Sequence, residues 1–511
     1  MRKQRPDSII AKVKPVQRDV WIICILVIGS FLRLFNLSSL TEFLGDQGRT
    51  SMILQTWLSG GSMPLIGPTT LTGQYLGPAF YFLLAPFYAL GGFTPQGAVF
   101  GMVCFGIASI YLAYVVVKLV YGVVPARCVS FLLAISPAMV RADRIIWEPN
   151  LVPFFGLFFA YFAIRQHERI NFWDNVGLGA TVGILIQLHY PNLFFLGLSG
   201  LLFVGHSIRV RDWGTVIKAT FGWIAGFVVV LTPFLMYEFA HNFIDITQIL
   251  NIIHTGSVGL GKRQALIYAV DYGGRVFGLI IPFLQTGWVI GLMVSWVVFL
   301  IIQFTAWNIF WTCWFAIGLL IIARYNGVVY DHYLLFLLPP VLLAVAAVIK
   351  WIQTKSSILG AVCVGVVLII GIVQLRKTDV LTVGSNDLLR TQLLTNAVVA
   401  DAQGATFSFT LVASRSFSDL HYRYYMLKQG ARVSGIEGVV YERLYVVCDS
   451  LACPLPAELS VQPHQVICFE PHCEGEYPKI DLVRDFVFER TIQIPMSLGQ
   501  VGVVYVFTPR R

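Results

Sequence analysis

Apolar runs close to ~20 residues long, the length that crosses the hydrocarbon core of a bilayer, recur along the first three quarters of the chain. They fall at about 20–36, 97–118, 127–140, 151–165, 175–190, 193–207, 217–238, 277–300, 304–323, 332–350 and 356–374. Only 12% of the 511 residues are charged and 57% are hydrophobic, where a soluble domain carries about 25% charge. A soluble fold would have to enclose many unbroken apolar helices in one core. The pattern instead predicts a polytopic, mainly α-helical membrane protein with about 11 spans.

The first nineteen residues, MRKQRPDSIIAKVKPVQRD, are basic and polar. No small-residue cleavage site follows in the apolar run, so a retained first span is expected rather than a removed leader. The formal charge of +9 does not call for nucleic acid, because Lys and Arg gather on the cytoplasmic side of membrane proteins. Placing Arg2, Lys3, Arg5, Lys12, Lys14 and Arg18 inside also puts Lys118, Arg127, Arg165, Arg169, Arg209, Arg211, Lys218, Lys350 and Lys355 inside. This holds if LGPAFYFLLAPFYALGG, 76–92, does not cross. Its Pro78, Pro86 and paired glycines fit an interfacial or re-entrant segment within a long first outer loop, 37–96. An ordinary span there would invert every later loop.

Beyond residue 375 the composition changes. Runs such as RLYVVCDS and VGVVYVFTP alternate between turn residues, which reads as strands. The expected organisation is a membrane domain, 1–375, and a small extracytoplasmic α/β domain, 376–511. Cys24, Cys104, Cys128, Cys313 and Cys363 lie in apolar segments and read as inert packing residues. Cys448, Cys453, Cys468 and Cys473 form two C-x4-C pairs in the tail. In an exported domain these point to two disulfides, with three pairings open. A zinc site using His464 or His472 is the rival reading. There is no G-x-x-x-x-G-K-[ST] run, which argues against an ATP-driven pump.

The outward loops concentrate ionisable groups where the positive-inside bias predicts few. They carry Asp46 and Arg49; Arg141, Asp143, Arg144 and Glu148; Lys262, Arg263, Asp271 and Arg275; and Arg324, Asp331 and His332, with His189 and Tyr190 ending a span. Charge beside a bilayer is costly. Clustered guanidinium and ammonium groups at that level suit a phosphate or diphosphate head group. A neighbouring carboxylate can serve as general base on an acceptor hydroxyl or amine.

Five stretches carry a family resemblance: GDQGR (45–49), PLIGPTTLTGQYLGPAFYFLLAPFYALGG (64–92), RADRIIWEPNLVPFF (141–155), QLHYPNLFF (187–195) and DHYLLFLLPPVLLA (331–344). In this order they resemble the GT-C glycosyltransferases, nearest the family 39 type of dolichyl-phosphate-mannose protein mannosyltransferases and the bacterial aminoarabinose transferase acting on lipid A. The resemblance covers roughly the first 350 residues. It implies a GT-C fold with interfacial helices. It also implies an inverting, metal-independent transfer of a hexose or pentose from a polyprenyl-phosphate donor, with no cofactor. Asp46 matches the first-loop acid that relatives use as catalytic base. Many relatives have Asp-Glu there, whereas this chain has Asp46-Gln47, and Gln47 cannot act as a base. Arg144 and Glu148 match an arginine and acid at the mouth of a later span, where Glu148, the second catalytic candidate, would hold Arg144 or the acceptor in place. Asp331, His332 and Tyr333 match the segment that meets lipid phosphate or sugar in relatives. With Arg49, Tyr75, His189, Lys262, Arg263, Arg275 and Arg324 they form the expected substrate and lipid-phosphate site.

The implied setting is a bacterial inner membrane, multi-pass, with the N-terminus cytoplasmic. The partners are membrane lipid, the lipid-linked sugar and a glycan, lipid or protein acceptor. Two other readings stay open. A transporter or flippase would place charges at the bilayer midplane in paired halves. A degenerate GT-C scaffold without activity is kept alive by Gln47. Local alternatives also remain. Arg49 can simply pair with Asp46 or Glu42 along a helix, His241 and His254 can be surface histidines, and Trp147 can stack on a sugar or prenyl chain or only on its neighbours.

Overall fold

A computed structural model describes residues 19–70, 73–210, 212–255, 262–281, 286–325, 327–412, 416, 418–433, 443–448, 453, 455–456, 486–496 and 501–510. The chain opens with α1 (Val20–Leu34), the short α2 (Leu37–Leu40), α3 (Gly45–Leu58) and α4 (Ala79–Leu90). A bundle follows: α5 (Pro95–Tyr121), α6 (Val123–Ile135), α7 (Pro137–Ala142), α8 (Val152–Glu168), α9 (Phe172–Leu188), α10 (Phe194–Val210) and α11 (Trp213–Ala240). Then come α12 (Ile244–Thr255), α13 (Lys262–Gly278), α14 (Thr286–Ile302), α15 (Ala306–Ala323), α16 (Leu338–Lys355) and α17 (Ser357–Leu375).

Each expected apolar run is a helix. Among the described residues five segments are long and apolar enough to cross a membrane: Pro95–Tyr121, Trp213–Ala240, Ala306–Ala323, Asp331–Lys355 and Ser357–Leu375. The other six, α1, α6, α8, α9, α10 and α14, run 13 to 17 residues. Local chemistry sets many of the ends. The side chains of Asp19, Asn171, Asp212, Thr305 and Ser356 each accept a backbone N–H in the first turn of α1, α9, α11, α15 and α17. Two boundaries differ from the sequence reading. The run at 127–140 breaks at extended Ser136, because Pro137 disfavours helical geometry in the residue before it and starts α7. In the run at 277–300, α13 ends at Gly278 and α14 is Thr286–Ile302, with 282–285 outside the described residues. Within 76–92, α4 has 12 residues. That is about 18 Å of helix, short of the ~30 Å hydrocarbon core. It buries Phe80, Tyr81, Leu84 and Tyr88 against α3 and α5.

A buried charge network ties the bundle together. Arg33, in the last turn of α1, is fully buried and its Nε donates to Asp143 Oδ2 at 2.7 Å. Its Nη1 donates to the carbonyls of Gly29 (3.1 Å) and Ala134 (2.8 Å). Gly106 of α5 leaves the space the Asp143 carboxyl occupies, since a β-carbon there would collide with it. Next to this pair, Arg144 donates through Nη1 to Asp379 at 3.1 Å and through Nη2 to the Leu32 carbonyl. Arg141 reaches the other Asp379 oxygen at 3.5 Å.

The tail forms the expected small α/β unit. Helix α18 (Asp387–Ala402) precedes β1 (Ser408–Val412), α19 (Leu420–Lys428), β2 (Leu444–Cys448), β3 (Phe486–Pro495) and β4 (Val501–Pro509). The sheet order is β1-β2-β4-β3, with β1 and β2 parallel and the other pairs antiparallel. Alternate residues feed two cores, as the two-residue period of a strand requires. Phe409, Leu411, Tyr445, Val447, Val504 and Val506 pack on α18 and α19, while Val412, Leu444, Val446, Tyr505 and Phe507 fill the other face. Cys448 and Cys453 form a disulfide. Cys468, Cys473, His464 and His472 lie outside the described residues, as do the basic residues 2–18. Asp401 clamps α18 to the sheet. It accepts from Arg490 Nη2 at 2.6 Å and from the Tyr445 hydroxyl at 2.7 Å.

Two outcomes follow for stability. Removing one partner of the buried Arg33–Asp143 pair strands the other. Arg33→Met or Asp143→Leu alone should cost about 3–5 kcal/mol, and the double variant should recover much of it. Thermal unfolding of the purified protein in detergent checks this. Burial raises the Asp401 pKa, but the Tyr445 hydroxyl and Arg490 outweigh it and hold the carboxyl below its ordinary value. A folded pKa held low adds stability that is complete above the unfolded value near 3.8 and is lost as pH falls through the folded value. Amide exchange in β2 and β3, relative to the intrinsic rate at each pH, should therefore quicken below about pH 4 in the wild type. Asp401→Asn should remove that dependence and cost about 1 kcal/mol at neutral pH.

Candidate functional site

Three short 3-10 turns open three of the apolar helices: Glu148–Leu151 before α8, Tyr190–Leu193 before α10, and Asp331–Leu337 before α16. The first two are built alike, on WEPNL (147–151) and HYPNL (189–193). Each Pro occupies an early helical position, where its missing N–H costs nothing. Each Asn closes the end of the preceding helix: Asn150 Nδ2 donates to the Ala142 carbonyl at 2.9 Å, and Asn192 Nδ2 to the Leu185 carbonyl at 2.7 Å. This local repeat escaped the sequence reading because only the Pro, Asn and Leu of the five positions are shared.

The turns converge, and their leading residues form one aromatic cluster. The His332 ring lies 4.3 Å from Trp147, 5.3 Å from His189 and 5.7 Å from Tyr330, centroid to centroid. Tyr333 lies 4.6 Å from both His189 and His332. Glu148, next to Trp147, is buried. At the edge of the cluster Arg275 Nη2 approaches Asp331 at 2.6 Å and donates to the Val329 carbonyl at 2.8 Å. Its guanidinium sits 5.3 Å from the Tyr272 ring centroid. The structure thus joins Glu148, His189, Arg275, Asp331, His332 and Tyr333, and adds Trp147, Tyr272 and Tyr330. Regular i,i+3 spacing links Tyr272 to Arg275 in the sequence and was the available signal for that pair.

Helix α3 meets the loop that leads into this cluster. Asp46, in its first turn, is exposed and pairs with Arg49 at 3.0 Å. Gln47 is buried and does structural work at both ends of its amide. Its Oε1 accepts from the Leu44 N–H at 2.9 Å, and its Nε2 donates to the Ile146 carbonyl at 3.3 Å. Ile146 precedes Trp147, so one amide links the acid-bearing turn to the aromatic cluster. The departure from Asp-Glu therefore has a local reason: the position faces a carbonyl and needs a donor.

Other expected site residues stand elsewhere. Arg144 is almost fully buried, with its guanidinium held by Asp379 and the Leu32 carbonyl. Burial draws its pKa below the usual range, against the opposing pull of Asp379. It is thus a lock between α1 and the end of α17 rather than an open anion ligand. Tyr75 joins the first loop to the second turn. Its N–H donates to Asp245 at 3.0 Å, its carbonyl accepts from the Tyr190 hydroxyl, and its ring meets Tyr237 edge-on at 5.8 Å. Arg263 and Arg324 are exposed, in the first turn of α13 and just after α15. Lys262 begins α13, and its side chain lies outside the described part, as does that of His254. The His241 ring stacks on Tyr237 at 4.0 Å. A buried pair was missed altogether: Glu238 and Asp245 are at most 2% exposed, and Glu238 accepts the Ile246 N–H at 3.2 Å.

The bundle with its long first loop, converging turns and capping α/β unit has a GT-C-type fold. The chain is similar to ArnT from Cupriavidus metallidurans. The crystal structure of that protein bound to undecaprenyl phosphate superposes with a TM-score of 0.60 at 12% identity, over 96% of this chain and 98% of that one. Its apo state gives 0.56 at 13% identity, over 95% and 97%. The Archaeoglobus fulgidus oligosaccharyltransferase complexed with Zn and sulfate gives 0.49 at 13% identity, over 94% of this chain and 72% of that one. No protein-family model and no curated sequence matches. At these identities the likeness is one of fold.

Gln47→Glu, which restores the Asp-Glu pattern, should destabilise the protein by about 1–3 kcal/mol, because it sets a buried carboxylate oxygen against the Ile146 carbonyl. A lower melting temperature for Gln47→Glu than for the wild type at pH 7 is the expected result.

Proposed function

We propose that the chain is an integral-membrane glycosyltransferase. It moves a sugar, a hexose or pentose, from a polyprenyl-phosphate donor to an acceptor on the extracytoplasmic side, with inversion at the anomeric carbon. The observation that carries this reading is the whole-chain likeness to a protein crystallised with undecaprenyl phosphate. The Gln47 amide that ties α3 to the loop entering the aromatic cluster supports it, with an exposed acid on α3 and an arginine at the edge of that cluster.

In this scheme the acceptor oxygen or nitrogen attacks the anomeric carbon as the bond from that carbon to the phosphate oxygen breaks. The phosphate leaves with the bonding electron pair. Arg275, steadied by Asp331, offsets its charge, a case of electrostatic stabilisation of developing charge. Asp46 takes the acceptor proton, oriented by Arg49 3.0 Å away. Glu148, beside Trp147, holds the acceptor or sugar in register. Trp147, His189, His332 and Tyr333 supply flat faces for the sugar or the first prenyl unit. The chemistry asked of these residues needs no metal ion and no cofactor. The setting is a bacterial inner membrane with the N-terminus cytoplasmic.

Transfer of labelled sugar from a panel of polyprenyl-phosphate sugars to membrane acceptors tests the reading, using protein in nanodiscs. Asp46→Asn should lower turnover by about 100-fold or more while leaving polyprenyl-phosphate binding intact. Equal turnover in both proteins would remove Asp46 from the chemistry and make Glu148→Gln the next variant. Lipid movement without transfer from any donor would favour a flippase.

A further inference from the structure

Helix α3 begins without a cap of its own. Leu44 occupies the N-cap position and has no side chain able to accept a hydrogen bond. The first N–H groups of a helix need partners from elsewhere. One comes from within, as the Leu44 N–H reaches Gln47 Oε1. The other comes from the opposite end of the chain. The Gly45 N–H donates to Ser416 Oγ at 2.9 Å, across 371 residues of sequence. The Ser416 hydroxyl proton goes to the Ser418 carbonyl at 2.7 Å, and Ser416 Oγ also accepts the Ser418 N–H at 3.2 Å. The serine is thus fixed before it meets the helix. Ser418 Oγ in turn accepts the Leu420 N–H at 3.2 Å at the start of α19.

The rest of this junction is equally close. A β-carbon on Gly45 would sit 2.7 Å from Ser418 Cβ, and one on Gly48 would collide with the His421 backbone. Phe43 is fully buried between the rings of His421, Tyr424 and Tyr425, at 6.4, 6.2 and 5.9 Å. Behind the turn, the buried Asp419 and Arg423 pair at 2.9 Å. Asp46 lies between the two glycines, on the first turn of α3, which the C-terminal domain grips. The tail is therefore not an appendage to this end of the bundle but its mount.

We propose that Ser416 is a positioning residue for Asp46. It caps α3 from the C-terminal domain and so fixes the orientation of the acid toward the acceptor. This rests on the glycosyltransferase reading and on Asp46 as its base.

The experiment uses the full-length protein in nanodiscs with the wild type, Ser416→Ala, Ser416→Thr, Asp46→Asn and the Ser416→Ala/Asp46→Asn double variant. Three measurements are made: sugar transfer from polyprenyl-phosphate sugars, hydrogen exchange of peptides covering 43–50 without substrate, and the melting temperature. Misplacing a catalytic group by about 1 Å costs up to ~100-fold, so Ser416→Ala should lower kcat by about 10–100-fold. Its donor KM should stay within about twofold of the wild type, the signature of an interaction realised in the transition state. Exchange in 43–50 should quicken, Ser416→Thr should restore most of both, and the double variant should be no slower than Asp46→Asn alone. A Ser416→Ala kcat within about twofold of the wild type overturns the proposal, as does a loss expressed in KM. So does a loss that tracks a lower melting temperature without rescue by threonine. If the wild type transfers no sugar, the reading of function has failed. The exchange data then decide the cap alone: faster exchange in Ser416→Ala supports it, and unchanged exchange overturns it.

Discussion

The Arg33–Asp143 pair is the constraint from which this architecture hangs. A guanidinium at the end of α1 would be ruinous inside an apolar bundle unless every donor found a partner. Arg33 answers with one carboxylate and the carbonyls of Gly29, Ala134 and Leu133. Those contacts bind α1 to the end of α6. They also fix Asp143, and with it the loop that runs on to Arg144, Ile146 and Trp147. Buried ion pairs are weak sources of net stability but strong sources of register. Here register matters, because the next residues along that loop build the aromatic cluster.

The consequences run outward in sequence. Arg144 locks the Leu32 carbonyl to Asp379, just beyond α17, so the point where the chain enters its C-terminal domain is held beside α1. Ile146 accepts the Gln47 amide, which steadies α3. Trp147 meets His332 at the start of α16. One loop of five residues, 143–147, thus touches α1, α3, the end of α17 and the third turn. The three turns are themselves entry points to helices, where the chain leaves apolar surroundings and polar groups come at least cost.

Much of this was legible in the sequence, and for identifiable reasons. Hydropathy located the helices, because a span needs unbroken apolar length, and period-two alternation found β2 and β4. The charged loops drew attention to Asp46, Glu148, Arg275, Asp331 and His332, because charge near an apolar run needs a reason. What escaped was anything defined by a distant partner. Arg144 looked like an anion ligand until Asp379, 235 residues away, turned out to hold it. Arg33 drew no notice inside its apolar run, because one basic residue near a helix end is usually an interface anchor. Gln47 looked like a lost acid, and only the Ile146 carbonyl explains why an amide sits there. The tail looked separable because composition changes at residue 375, yet Ser416 and His421 lie against α3.

The reach of the Gly45–Ser416 hydrogen bond also sets a clock. Chains are made from the N-terminus at about 5–20 residues per second, so roughly 20–75 s separate synthesis of the two groups. Throughout that interval the apolar helices from α1 to α17 can enter the membrane while the first turn of α3 lacks its cap. A chain that stops short of the last hundred residues would therefore carry a complete set of spans and an unfinished acid-bearing turn. Assembly of the site in this sense waits on translation past residue 418, and is completed by a late domain at one of the first helices.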